Sequence, residues 1–199
     1  MLTARIAVLA SGGGTNLQAL INAQNAGELK SGAIALVVAD KPGIGAIRRA
    51  EGAGIPCAVI VRKEPEFEEK VLAALVEHNI DLVVLAGFLG ILSADFIHRF
   101  GGPILNIHPA LIPSFCGKGF YGLRVHQAAL DYGVKVTGAT VHYASEVVDG
   151  GQIIAQKAVD VLPGDTAEVL QRRVMEQAEW VLLPQAAEFV SAQIVLEKE

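Results

Sequence analysis

The sequence predicts an α/β fold: an open, mostly parallel twisted sheet with helices on both faces and an antiparallel hairpin toward the C-terminal part. Three features carry that reading. Short apolar runs without polar alternation recur through the first half, as suits strands covered on both faces. Segments of helical spacing lie between them. After residue 108 the style changes to a Pro/Gly loop, a short helical segment and two strand-like runs around a glycine turn.

In chain order, "RIAVLA" (5–10) is the first strand and "NLQALINAQNAGEL" (16–29) the first helix. "AIALVVAD" (33–40), "PCAVIV" (56–61), "DLVVLA" (81–86) and "PILNIH" (103–108) read as further buried strands. Between them, "GAIRRAEGAG" (45–54), "PEFEEKVLAALVEHN" (65–79) and "SADFIHRFG" (93–101) have helical spacing, with Ser93 placed to cap the last. A repeated strand and helix gives parallel pairing with right-handed crossovers. Pro109 stops the fifth strand. A helix follows near 125–133, then strands over 136–144 and 152–161 flank "SEVVDGG". The last helix opens with Asp165 three residues before Glu168, a capping pattern, and is expected to end at Pro184.

At 199 residues the chain fits one domain, 1–199, which can bury roughly 70% of its unfolded surface. Sixteen Lys+Arg against 21 Asp+Glu give a net charge of −5, so no basic field exists to hold a nucleic acid backbone. The apolar residues come in bursts far shorter than the about 20 in succession of a membrane helix. Cys57 and Cys116 are too few for a disulfide framework, and "MLTARIAVLASGGG" lacks the apolar stretch of a signal peptide; a cytoplasmic protein is expected.

"ASGGGTNLQAL" joins the first strand to the first helix, where outward N–H groups and the helix dipole favour an anion. It lacks the G-x-x-x-x-G-K-[ST] pattern, and Leu17 stands where G-x-G-x-x-G needs its third glycine. Thr15 and Asn16 add side-chain donors at the helix start, which suits a terminal phosphate monoester. Two other readings compete: a tight turn without ligand, and a dinucleotide site with Asp40 taking a ribose hydroxyl.

Asn106 and His108 share a face at the carboxyl end of a parallel strand, where ligands bind in open α/β sheets. A strand-end histidine alone is a structural hydrogen bonder, and Asp-Gly-Gly at 149–151 alone is a turn. Brought together, the three side chains suit acyl transfer without a protein nucleophile. Asn106 and His108 can stabilise an oxyanion, and Asp149 can favour the imidazolium and help move the proton leaving an attacking amine. Rivals are weaker. His108, His126 and His142 with Asp149 lack metal-ligand spacing, so no metal is expected. Cys116 near Lys118 has no readable thiolate character. His78 and His98 lie in helices without catalytic neighbours.

The segments "SGGGTNLQALI", "VVLAGFLGILS", "ILNIHPALIPSF", "TGATVHY", "VVDGGQIIAQ" and "GDT", in this order, closely resemble phosphoribosylglycinamide formyltransferase of de novo purine synthesis. The resemblance runs almost end to end and implies a Rossmann-like formyltransferase fold. It implies formyl transfer from 10-formyltetrahydrofolate, a co-substrate, to the amine of glycinamide ribonucleotide, without metal. Gly14, Thr15 and Asn16 would hold the ribose 5-phosphate, and Glu179 the glycinamide amine. Phe88, Leu89, Gly90, Ile91 and Leu92 would line the folate pocket, with Asn106 beside them. Asn106, His108 and Asp149 would be catalytic, and the segment from Ser145 through Val148 to Asp149 would bend over the pterin. The half up to about residue 100 would bind phosphate, and the remainder would bind folate and carry the chemistry. Monomer and homodimer both stay open.

The chain departs from the family pattern in places. Leu89-Gly90 stands where many members have Met-Arg, removing a cation that could meet a folate carboxylate; Arg62 and Lys63 are candidate substitutes. "CGKGFYG" is longer than in the shorter versions, and Arg124 stands where histidine is frequent. A methionyl-tRNA formyltransferase would need a further tRNA-binding domain and basic surface. A formyltetrahydrofolate hydrolase would carry an added N-terminal domain. A nucleotide-binding or redox-sensing module using Asp40 is the alternative outside this chemistry.

Overall fold

The computed structural model describes residues 2–198 and contains one seven-stranded sheet in the order β3-β2-β1-β4-β5-β6-β7. The strands are β1 (Ala4–Ala10), β2 (Gly32–Ala39), β3 (Cys57–Val59), β4 (Leu82–Leu85), β5 (Ile104–His108), β6 (Val136–Tyr143) and β7 (Ile153–Asp160). The first five pair in parallel, and β5-β6-β7 is antiparallel. The expected architecture is present, with β3 and β4 shorter at both ends than the apolar runs suggest.

Alternation within each run explains why the strands look uniformly apolar. On β1, Ile6 and Val8 face one core while Ala7 and Leu9 face the other. The first core is closed by α1 (Thr15–Asn25), α2 (Gly45–Gly52), α6 (Ala167–Val174) and α7 (Trp180–Lys198). The second is closed by α3 (Phe67–Glu77) and α4 (Ala94–Phe100), whose Phe96 is fully buried. Truncating such a side chain to Ala costs about 3–5 kcal/mol. Ser93 caps α4, its Oγ accepting from the Phe96 N–H at 3.0 Å. The remaining helix, α5 (Leu123–Tyr132), packs near α6.

Two expectations about the last helix are corrected. Thr166, not Asp165, is the cap, its Oγ accepting from Val169 N–H at 3.3 Å, while Asp165 is drawn into a bidentate pair with Arg173. Nor does the helix end at Pro184. A π turn at Met175–Glu179 divides it, and α7 continues through a buried Pro184 to Lys198. Pro184 is the fifth residue of α7, where its missing N–H removes the ladder bond to the Trp180 carbonyl, yet the helix continues on both sides of the buried ring.

The strand order reverses beside β1, which has β2 on one side and β4 on the other. The loops leaving β1 and β4 therefore diverge and open a crevice at the carboxyl ends of the parallel strands. Among the described residues no helix is long and apolar enough to cross a membrane.

Candidate active site

β5 delivers Asn106 and His108 to that crevice, and the turn after β6 brings Asp149 to meet them. Asp149 Oδ2 lies 3.6 Å from His108 Nδ1, and its Oδ1 lies 3.4 Å from Asn106 Nδ2. Asp149 has φ 55°, in the left-handed region, and the two glycines after it let the chain fold tightly. A Cβ on Gly151 would collide with the Tyr143 carbonyl oxygen, which accounts for the second glycine.

Two further groups hold the aspartate, neither foreseen in this role. The Gly117 N–H donates to Asp149 Oδ2 at 2.8 Å, and His142, on β6 directly across from Asn106, puts Nε2 3.6 Å from Oδ1. Burial works to raise the Asp149 carboxyl, but His142, the Gly117 N–H and the His108 charge outweigh it and hold the group below its usual value. Asn106 Nδ2 also faces His142 Nε2 at 3.1 Å. His142 Nδ1 lies 2.9 Å from the Tyr143 carbonyl, so that nitrogen carries a proton.

Next to this set lies His126, which is 0% exposed and has no hydrogen-bond partner for either ring nitrogen among the described residues. Burial, and next the charge of His108, push it down to about 4. The Cys116 thiol is pushed up by burial and by Asp149, and its Sγ is turned to the Pro113 carbonyl at 3.3 Å. Those shifts disfavour a thiolate nucleophile. No group of three or more side chains that could hold a metal ion gathers among the described residues. His98 pairs with Glu146 on the surface, and His78 Nδ1 meets the Ala74 carbonyl at the end of α3.

The glycine loop leads into α1 with Gly14 at φ 74°, where a Cβ would stand 2.8 Å from Ala46 Cα. Behind it, Arg49 Nε donates to the Gly13 carbonyl at 2.8 Å. Thr15 is half-buried at the helix start. Asn16 is buried, and its Nδ2 is directed to Glu179 Oε2 at 2.7 Å, leaving Oδ1 without a partner. Burial raises the Glu179 carboxyl, and the Asn16 hydrogen bond only partly opposes this. The π turn sets Glu179 there, beside the glycine loop.

Asp40 is not open to a ribose. Ser11 Oγ–H donates to its Oδ2 at 2.7 Å, and Arg62 Nε stands 3.7 Å away. Ser11 Oγ accepts from the Leu89 N–H at 2.8 Å, joining the loops after β1 and β4. In that second loop Phe88 and Leu92 are buried, Phe88 stacking on Phe67, while Leu89 and Ile91 are 52% and 69% exposed. A Cβ on Gly90 would lie 2.5 Å from the Phe88 ring, so a larger residue there requires that ring to shift. Ser145 Oγ closes a small turn onto the Val147 carbonyl at 3.0 Å, and Val148 is exposed.

Residues 4–186 match the family model described as formyl transferase. The phosphoribosylglycinamide formyltransferase of Haemophilus influenzae is 41% identical over 177 residues, covering 88% of this chain and 81% of that protein. The chain belongs to the phosphoribosylglycinamide formyltransferase family. Solved members superpose closely. Glycinamide ribonucleotide transformylase 1 from Symbiobacterium toebii has a TM-score of 0.88 at 36% identity, covering 96% of this chain and 89% of that one. Phosphoribosylglycinamide formyltransferase from Brucella melitensis has 0.86 at 43%, covering 96% of each. The trifunctional purine biosynthetic protein adenosine-3 of Gallus gallus is 46% identical over 94% of this chain, which spans only 18% of that protein's length.

A cavity of about 700 Å³ runs between α1 and α7 from Thr15 and Trp180 to Phe189, and Asp149 is not among its lining residues. The groups missed by sequence reasoning are His142, Ser11 and the loop residue Gly117. His142 carried a signal: it sits two residues before the end of an expected strand and faces the same carboxylate. Ser11 and the loop act through hydroxyl and backbone contacts that no motif announces.

Proposed function

We propose that the chain transfers the formyl group of 10-formyltetrahydrofolate to the amine of 5-phosphoribosylglycinamide, a step of de novo purine synthesis. The observation that carries this is Asp149, its side chain 9% exposed and held ionised between His108 and Asn106 at a crevice that also receives the glycine loop. The names of the similar proteins support the substrate pair. The chain is taken as one domain, its first half binding phosphate and its second half binding folate, in a cytoplasmic setting.

Gly14, Thr15 and Asn16 take the phosphate through N–H groups at the positive end of α1. Glu179, held by Asn16, receives the glycinamide amine. The Phe88 to Leu92 loop offers backbone groups and the exposed Leu89 and Ile91 to the pterin, and Ser145 and Val148 close over it. The free amine attacks the formyl carbon, forming a C–N bond and an oxyanion. Asn106 donates to that oxyanion by releasing Asp149, the longer of its two amide contacts. His108 stabilises the same charge, and Asp149 assists passage of the amine's proton to the folate nitrogen as the carbonyl re-forms and the bond from the formyl carbon to that nitrogen breaks.

An absorbance assay of 10-formyl folate deformylation, run with and without glycinamide ribonucleotide, tests the reading. Deformylation that requires the ribonucleotide is expected. Formate released equally without it points to hydrolysis instead.

A further inference from the structure

Residues 113–122 form a long loop that touches both His108 and Asp149. The Phe115 carbonyl oxygen lies 2.9 Å from His108 Nε2, and two residues later the Gly117 N–H donates to Asp149 Oδ2. A carbonyl can only accept, so the His108 nitrogen facing it carries a proton. The neutral ring is then the Nε2–H tautomer, and Nδ1 is the nitrogen turned to Asp149 at 3.6 Å. If the proton sat on Nδ1 instead, a lone pair on Nε2 would face the Phe115 oxygen.

The loop is rich in glycine and needs an anchor. Phe115 supplies it: the ring meets Tyr132 edge-on at 5.9 Å and Phe120 at 6.5 Å, while its backbone sits at φ 50°, where a non-glycine residue is rare. Neighbouring side chains do not share the role, since Cys116 turns to Pro113 and Lys118 is exposed.

We propose that Phe115 is a positioning residue for His108, its carbonyl selecting which imidazole nitrogen bears the proton and its ring holding that carbonyl in place. The proposal rests on the catalytic reading of His108, but its first readout does not. Protein labelled with ¹⁵N in histidine is examined by NMR at a pH where the His108 ring is neutral, for wild type, Phe115→Ala and Phe115→Tyr. The Nε2–H tautomer is expected in wild type and in Phe115→Tyr, and a mixture of tautomers in Phe115→Ala. In turnover, Phe115→Ala should lose about tenfold in kcat with both KM values within about twofold, and Phe115→Tyr should recover it. If Phe115→Ala does not fold, Tyr132→Ala, which removes the edge-on partner from an exposed position, should shift the tautomer in the same direction.

An Nδ1–H tautomer in wild type, or an unchanged tautomer or kcat in Phe115→Ala, overturns the proposal. Full activity in His108→Ala would instead sink the catalytic reading, while the NMR result would still report on the positioning.

Discussion

Asn16 and Glu179, 163 residues apart, meet in a buried hydrogen bond of 2.7 Å that ties the start of α1 to the π turn before α7. The amide nitrogen is committed to the carboxylate, so each residue depends on the other for satisfaction. Asn16→Ala leaves the Glu179 carboxylate buried without its donor. A loss of about 1–3 kcal/mol is expected by urea denaturation, with less than the additive loss in the double variant with Glu179→Gln.

The same carboxylate gives a pH signature. Its folded pKa is raised above the usual value of 4.5, so the unfolded chain releases this proton first. Stability from this group is complete below that value and declines as pH rises above it. Glu179→Gln removes the ionisation, so the melting temperature of the variant should gain on wild type as pH is raised from acid. Parallel pH curves for the two proteins would contradict this.

His126 acts in the opposite sense. Its folded pKa is lowered from 6.5 to about 4, so its contribution is present above 6.5 and is lost as pH falls toward 4. That loss is on the order of 3 kcal/mol. His126→Leu should flatten the stability curve between these limits, measured by urea unfolding at intervals of pH.

Gly90 lies against Phe88, and any side chain there must displace the aromatic ring that stacks on Phe67. Gly90→Ala is expected to cost about 1–3 kcal/mol in thermal unfolding and to raise the KM for the folate, because the same ring anchors the loop. An unchanged Tm and KM would show that the loop yields freely.

The strands were legible because both faces are covered, so Val8 and Leu9 are apolar for different cores and together make one unbroken run. Asn106 and His108 were legible for the same reason: polar residues at the end of such a run stand out, and period two puts them on one face. The last helix was misread because Pro184 is judged by its missing N–H, whereas its burial beside Leu183, Ala186 and Ala187 carries the helix past it, and the π turn before α7 has no signature in "MEQAE". Asp165 resembled a cap until Arg173, eight residues on, proved the stronger partner. Asn16 was expected to face a phosphate, and only the return of α7 over α1 shows its amide directed at Glu179. The contributions of Gly117 and Phe115 are backbone groups, and a sequence is silent on those.

The most direct test of the account is single-turnover formyl transfer by Asp149→Asn, with binding of both substrates measured separately. Turnover should fall by roughly 10² to 10⁴ with both ligands still bound, because the amide cannot hold the imidazolium or take part in moving the amine's proton. Turnover within a few-fold of wild type would contradict it.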